Sequence, residues 1–287
     1  MGYHYLLIAA AAALWGFIGI FVLKLQDIGF TPIEVVNIRA VTAGVILAVY
    51  AYLKNPALLK IKAEDFKYFA GTGIVSIVFF NWCYFTAMKM ITISLAVLLL
   101  YTAPIFVILI SRVVFKEKIT GGKIFALCIT LTGVFFISGL LPGMDVSISA
   151  AGFMAGIGSG LGYALYSIFA KLAGKKYSSI TISTYTFIFA AIFLTPLTGI
   201  IFKTDLLLQS ESIIYSAGLG LIPTALAYVL YTKGLNGIEA GKAAVTANLE
   251  PLVAMMTGIL FFGDILTGFQ AAGAICILGS VMIIQKS

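Results

Sequence analysis

Ten apolar runs divide nearly the whole chain, and they limit the folds that it can adopt more than any other feature. Each is about 20 residues long, the length that an α-helix needs to cross the hydrocarbon core of a bilayer. The runs lie at 4–24, 32–53, 66–88, 91–113, 121–140, 150–172, 179–202, 212–233, 239–262 and 266–285. Because 61% of the residues are hydrophobic and only 10% are charged, little is left for a soluble domain. The sequence predicts an all-α membrane protein with ten transmembrane helices.

Basic residues are distributed unequally between the two sides of these helices. With the N-terminus inside, the cytoplasmic segments hold fourteen Lys and Arg residues, and the opposite side holds only Lys24, Lys89 and Lys203. Cytoplasmic loops carry such an excess. We therefore expect both termini in the cytoplasm of a multi-pass plasma-membrane protein. The net charge of +7 then reflects topology, with the lipid bilayer and not nucleic acid as partner.

The polar, proline and turn residues repeat when the sequence is shifted against itself by 147 positions. Aligned pairs include Lys24 with Lys171, Gly73 with Gly220, Tyr84 with Tyr231, Pro104 with Pro251 and Thr120-Gly121 with Thr267-Gly268. Each unit holds five helices, so the second unit must enter the membrane from the opposite side. We predict two inverted five-helix repeats, 1–141 and 148–287. Many secondary transporters have such repeats, and their binding sites lie where broken helices of the two halves meet.

The ninth run is interrupted at its middle by Asn248, Glu250 and Pro251. Carboxylates are rare inside membrane helices and usually face a protein interior or a water-filled cavity. Proline breaks the helix because it has no N–H to donate. Two interpretations are open: this face lines a substrate pathway, or it packs on a neighbouring helix with Glu250 hydrogen-bonded. We predict that Pro251 and its counterpart Pro104 are gating positions.

Tyrosines follow helical spacing in the sixth and eighth runs, as Ser159-Tyr163-Tyr166 and Thr224-Tyr228-Tyr231. Each set lies on one helix face, which predicts the wall of a pathway. Alternatively, the rings pack between helices with their hydroxyls bonded to backbone. Arg39, inside the second run, is predicted to snorkel outward, to make a local structural contact, or to pair with Glu250.

Short motifs occur in a fixed order along the whole chain. They are Trp15-Gly16 followed by Lys24, then Arg39, LLLYTAP with Tyr101 and Pro104, KEKITGG, LEP with Glu250 and Pro251, and GDILTG. On these motifs the chain resembles the ten-helix EamA-type exporters of the drug/metabolite transporter superfamily. The resemblance implies a transporter of small organic molecules. It also implies a central cavity between helices 1, 3, 4, 6, 8 and 9, with helices 5 and 10 at the periphery.

The residues expected near the middle of the membrane suggest a substrate class. The predicted substrate-binding residues are Trp15, Asn81, Tyr84, Tyr101, Tyr163, Tyr166, Tyr228, Tyr231, Asn248 and Glu250. No cluster of Lys or Arg accompanies them, which disfavours phosphorylated cargo because its charges would lose hydration uncompensated. We predict a secondary transporter that exports small amphiphilic metabolites such as amino acids or amines by alternating access. The coupling ion, with protons as one choice, and a homodimer are left open.

There are three alternatives to a coupled exporter. An uncoupled facilitator with the same fold is one, and a non-transport sensor or assembly subunit is another. An enzyme is not expected, because His4 is the only histidine and no GxSxG or HExxH motif occurs. No catalytic residue, metal ligand or cofactor is predicted. Thr120 and Thr267 are expected to cap helices, and Glu117 and Asp264 to fix turns.

Overall fold

A computed structural model describes residues 2–140 and 149–287, and these residues form ten long helices. Their bounds are α1 Gly2–Ile28, α2 Pro32–Lys54, α3 Ala63–Met90, α4 Ile93–Val114, α5 Gly121–Ile137, α6 Ala150–Ala173, α7 Ser179–Thr198, α8 Ser210–Leu235, α9 Ala240–Phe262 and α10 Gly268–Lys286. Nine are long and apolar enough to cross a membrane, whereas α5 is apolar but has 17 residues. No strand occurs within the described ranges. The chain is an all-α, multi-pass membrane protein.

Residue 1, where the first predicted repeat begins, lies outside the described residues, and so do residue 141, where it ends, and residue 148, where the second begins.

Threonine caps begin the two helices for which the sequence predicted them. The hydroxyl oxygen of Thr120 accepts the N–H of Lys123 at 3.3 Å at the start of α5. That of Thr267 accepts the N–H of Gln270 at 3.2 Å at the start of α10. Each bond satisfies one of the N–H groups that a helix leaves unpaired at its beginning. Both capping predictions are confirmed.

Helices α4 and α9 are each broken near the middle. In α4 the break lies at Tyr101 and Thr102, and in α9 at Asn248. Pro104 and Pro251 lie in the first turn after the break, where a missing N–H removes no bond within the helix. The prediction of two broken helices is confirmed. Each break begins three residues before its proline, and the second segments start at Ala103 and Leu249.

The most extensive packing joins helices from opposite halves of the sequence: α5 with α10, α2 with α7, α3 with α6, and α1 with α8. The α5–α10 pair is especially close, since a Cβ added to Gly133 would lie 2.8 Å from the carbonyl oxygen of Gly273. Nearby, the Thr130 hydroxyl donates to the Ser280 hydroxyl at 2.7 Å. Neither half of the chain therefore forms a core by itself.

Candidate functional site

A cavity of about 680 Å³ lies between α1, α2, α3, α4 and α9. One end is lined by Gln26, Pro32, Ile93 and Phe262, which lie where α1, α3 and α9 end and where α2 and α4 begin. The cavity therefore opens on the face opposite the N-terminus. Its volume is in the range that binds a small organic molecule.

Glu250 lies in the wall of this cavity, in the first turn of α9 after the break at Asn248. Its side-chain oxygen Oε2 accepts a hydrogen bond of 3.0 Å from the Tyr163 hydroxyl of α6. Features of both interpretations from sequence are present, because Glu250 lines a cavity and is also hydrogen-bonded to a neighbouring helix. The broken helix is what turns this carboxylate toward the cavity.

Arg39 contributes a positive charge to the same wall. Its Nη2 donates to the Tyr228 hydroxyl at 3.2 Å, and its guanidinium carbon lies 5.5 Å from the centroid of the Tyr228 ring. Only 9% of Arg39 is exposed, and its Nε has no partner within the described residues. Within the same residues it makes no ion pair with Glu250. Of the three predictions for Arg39, the structure shows the local contact.

The predicted substrate-binding residues fall into two groups. Trp15, Asn81, Tyr84, Tyr101 and Glu250 line the cavity, and the predicted gating residue Pro251 lies beside them. The second group lies outside the wall and is buried or half-buried: Tyr163, Tyr166, Tyr228, Tyr231 and Asn248, and so does the predicted gating residue Pro104. The residues of the first group therefore come from four helices: α1, α3, α4 and the part of α9 that follows its break.

Four of the tyrosines form an aromatic cluster with Trp15, made of Trp15, Tyr163, Tyr166, Tyr228 and Tyr231. The ring centroid of Trp15 lies 5.1 Å from that of Tyr228 and 5.1 Å from that of Tyr231. Tyr166 bonds Thr232 at 2.7 Å, and Tyr231 bonds Ser167 at 2.6 Å. For these tyrosines the packing interpretation describes what is seen, although their hydroxyls bind side chains and not backbone. The cluster closes the inner end of the cavity.

A polar network joins helix ends on the face on which the N-terminus lies, in the wall of a second cavity of about 670 Å³. The Glu117 carboxylate accepts the N–H of Ala240 at 2.8 Å and that of Gly241 at 3.3 Å, and it pairs with Lys171 Nζ at 2.9 Å. Lys171 also donates to the carbonyl oxygen of Ile238 at 2.6 Å. We call these groups the Glu117 network. It joins the α4–α5 turn to the end of α6 and the start of α9.

The charge of Glu117 is stabilised by these contacts. Burial alone would raise the pKa of the carboxyl, but the N–H groups of Ala240 and Gly241 and the Lys171 ammonium outweigh it and hold the pKa below its usual value. The sequence predicted only that Glu117 fixes its own turn. That prediction was too narrow, because its partners lie on helices far away in the sequence.

Two charged residues of the wall, Arg39 and Asp264, were not predicted to bind substrate. Arg39 carried a usable signal, since a charge inside an apolar run is a functional candidate. Asp264 follows α9 in a turn and gave no such signal. Among the described residues, no group of three or more His, Cys, Asp or Glu side chains could hold a metal ion.

Comparison with known proteins places this architecture among transporters. An uncharacterized transporter of Archaeoglobus fulgidus is 32% identical over 200 residues, covering 70% of each chain. The uncharacterized transporter YwfM of Bacillus subtilis is 27% identical, covering 97% of this chain and 92% of its own. The threonine/homoserine exporter RhtA of Escherichia coli K12 is 26% identical over 72% of this chain and 68% of its own.

Comparison with a solved structure and with a protein-family model extends this similarity to nearly the whole chain. A crystal structure only 15% identical in sequence superposes with a TM-score of 0.83 and covers 99% of this chain and 96% of the other. The EamA-like transporter family matches residues 2–139 and 150–285, nearly the whole chain in two stretches. The resemblance noted in the sequence is confirmed, and the chain belongs to the EamA-like transporter family.

Proposed function

We propose that this transporter exports small amphiphilic metabolites, such as amino acids or amines, across the plasma membrane by alternating access. The observation that carries the proposal is a cavity that opens on one face and has Glu250 and Arg39 in its wall, and that shares no lining residue with the cavity on the other face. In the orientation that the basic residues favour, both termini are cytoplasmic and the cavity opens outward. The face on which the Glu117 network lies is then cytoplasmic.

The two charges suit a zwitterion. Glu250 can accept the N–H groups of an ammonium, and Arg39 can donate to a carboxylate in a charge-assisted bond. Trp15 and Tyr84 offer aromatic faces that attract an ammonium or cover an apolar side chain. The name of the relative RhtA, a threonine/homoserine exporter, supports amino acids as the class to test first. Arg39 favours amino acids over simple amines, a distinction that the sequence alone did not make.

We also propose that the chain crosses the membrane ten times, as two inverted five-helix repeats, with α5 as the shortest crossing. Helix packing supports this arrangement, because the pairs α3–α6 and α1–α8 are related to each other by the 147-residue shift. The family matches the chain once in each half. If the two repeats exchange conformations, the cavity becomes accessible from one face and then from the other.

Coupling to protons remains a proposal that rests on Glu250, the one carboxylate deep in the cavity wall. Its bond to Tyr163 holds it at the inner end of the cavity, where a proton and a substrate ammonium would compete for the same oxygens. Such competition is what exchange of a proton for an amine requires. An uncoupled facilitator is the second candidate, because the same bond also fits a carboxylate that only binds substrate.

Flux assays in sealed proteoliposomes test the proposal. Radiolabelled amino acids, amines, nucleobases and a sugar phosphate would be compared with and without a pH gradient, with protein-free liposomes as control. We expect saturable flux of amino acids. This flux should be faster when the pH gradient drives protons in the direction opposite to amino acid movement. Flux that ignores the gradient would favour the facilitator. Selective uptake of the sugar phosphate alone would refute the substrate class.

A further inference from the structure

Two turns on opposite faces of the protein are closed by the same backbone hydrogen bond. In the α4–α5 turn the N–H of Glu117 donates to the carbonyl oxygen of Ser111 at 3.3 Å. In the α9–α10 turn the N–H of Asp264 donates to that of Gly258 at 3.2 Å. Both residues of the second pair lie 147 positions after those of the first. Each turn therefore presents a carboxylate at the residue that closes it, although α4 ends as an α-helix and α9 as a π-helix.

The residue before each carboxylate has a left-handed conformation, with φ of 58° at Lys116 and 75° at Gly263. Glycine adopts this conformation without strain, but lysine rarely does. Among the described residues Lys116 is the only residue other than glycine with positive φ. Strain of this kind persists where the surrounding structure requires it. The requirement at Lys116 is that Glu117 reach Lys171 and the start of α9.

The partners of Glu117 have counterparts near Asp264. The 147-residue shift relates Lys171 to Lys24, and the N–H groups of Ala240 and Gly241 to those of Ile93 and Ser94 at the start of α4. Asp264, Ile93 and Ser94 all line the open cavity. Leu23 and Gln26, which lie next to Lys24 in the sequence, line it as well. Asp264 and Lys24 are both exposed, and neither forms an ion pair in the described part of the chain.

We propose that Asp264 and Lys24 form the contact that holds the outer face closed in the second state of the transport cycle. In that state the Asp264 carboxylate pairs with Lys24 and accepts the N–H groups of Ile93 and Ser94, as Glu117 does with its own partners. This inference rests on the proposed alternating access. It assigns a role to Lys24 and adds closure of the outer face to the turn-fixing role that the sequence predicted for Asp264.

The two closed faces are not equally strong. The Glu117 network is flanked by an ion pair of 3.0 Å between Lys123 and Glu239. The shift places Gln270 and Thr92 at the corresponding positions, and these carry no charge. The outer contact therefore lacks one ion pair, and the empty transporter should rest with its outer face open.

Labelling of a single cysteine tests the proposal without any knowledge of the substrate. The three native cysteines would be replaced by alanine, and Val97→Cys would place a thiol in the cavity wall. A membrane-impermeant maleimide added outside intact cells reports how often the outer face is open. Glu117→Gln weakens the inner closure, so we expect labelling to fall by about threefold or more as the population shifts. Adding Asp264→Asn should restore it.

The matched controls are Asp27→Asn and Asp205→Asn, which remove one exposed acidic charge each, and Asp27 lies three residues after Lys24. Neither should restore labelling in the Glu117→Gln background. The double exchange Lys24→Asp with Asp264→Lys restores the ion pair but not the acceptor for the N–H groups of Ile93 and Ser94, so in that background it should label less than either single exchange. Elution as a single symmetric peak in detergent shows that each variant is folded.

Two results would overturn the proposal. Labelling unchanged by Glu117→Gln would mean that the inner network does not set the balance between states. Labelling lowered by Glu117→Gln but not restored by Asp264→Asn would exclude Asp264 from the outer contact. Neither result depends on flux, so an error in the substrate class leaves the labelling pattern intact. If alternating access itself is wrong, all variants will label alike.

Discussion

Glu250 is the residue on which the transport proposal depends most directly. We expect Glu250→Gln to reduce amino acid flux by roughly ten- to a hundredfold, because a hydrogen bond to a charged group contributes about 1.5–3 kcal/mol. Dependence on a pH gradient should disappear with it. The measurement is flux in proteoliposomes with and without the gradient. Glu211→Gln, an exposed carboxylate at the start of α8, is the matched control. Normal flux with unchanged pH dependence would leave Glu250 with a structural role only.

Arg39 should distinguish amino acids from the amines that lack a carboxylate. In Arg39→Gln we expect half-saturation for an amino acid to rise by about tenfold or more, since a charge-assisted bond to the carboxylate is lost. Half-saturation for the corresponding amine should change little. Arg112→Gln, an exposed arginine at the other end of the membrane, is the control. An equal loss for both substrates would show that Arg39 acts only by supporting Tyr228.

Some of the residues that the sequence singled out line the cavity and others do not, for a physical reason. Glu250 and Tyr101 could be found because a carboxylate and a helix break are costly in lipid and need a protein or water environment. Tyr166 and Tyr231 shared the helical spacing of a pathway wall, yet they pack on Trp15. Spacing fixes the face of a helix but does not say whether that face meets a cavity or another ring.

Among the helices, the broken segments of α4 and α9 should respond differently to thiol reagents. Tyr101 lines the open cavity, whereas Asn248 is only 2% exposed and lies outside the wall. We expect Tyr101→Cys to react with an impermeant reagent applied from outside. Asn248→Cys should react slowly until substrate is added and the helices rearrange. Val107→Cys, 1% exposed in the second segment of α4, is the unreactive control. Complete inertness at both test positions would place the breaks in dry packing.

The Glu117 network should stabilise the fold in a pH-dependent way. The folded state holds the pKa of Glu117 below its ordinary value near 4.5, so the contribution to stability is present above about that pH. It is lost as the pH falls through the lower, folded value. At pH 7 we expect Glu117→Gln to lower the free energy of unfolding by about 1–3 kcal/mol.

Thermal unfolding in detergent between pH 7 and pH 3.5 measures this difference. The gap between wild type and Glu117→Gln should begin to narrow near pH 4.5, where the carboxyl of the unfolded chain becomes neutral, and it should close as the pH falls through the lower, folded value. Lys118→Gln, a substitution at an exposed neighbouring residue, is the control. Its unfolding temperature should differ little from that of the wild type at any pH in this range. A gap that stays constant with pH would mean that the loss comes from packing and not from charge.

The sequence predicted the helices and their caps, because hydrophobic runs and capping residues act locally. It placed the breaks at the prolines, but the structure begins them three residues earlier, at Tyr101 and Asn248. Proline has no N–H to donate to the carbonyl group four residues earlier. Packing against the neighbouring helices then decides at which residue the chain leaves the helical conformation. The contacts of Glu117 were hidden for the same reason, since they cross 123 and 124 residues of sequence.

Across the whole molecule, the orientation in the membrane is the prediction that sets which face is outside. Fourteen basic residues against three favour cytoplasmic termini. A reporter fused after Lys286 that is active only in the cytoplasm should therefore be active, and one that needs export should be silent. The opposite pattern would turn the cavity toward the cytoplasm and reverse the proposed direction of opening.

The packing of every major helix pair across the two halves has a consequence for biosynthesis. While the ribosome is still making residues 149–287, the completed helices α1 to α5 lack the partners that they pack against in the finished protein. The Gly133 surface of α5, which later meets the backbone of Gly273, faces lipid or a membrane chaperone during that interval. The newborn chain must therefore hold five helices in the bilayer without their final neighbours. Nonsense mutations near the middle of the gene should yield a product that cellular proteases remove.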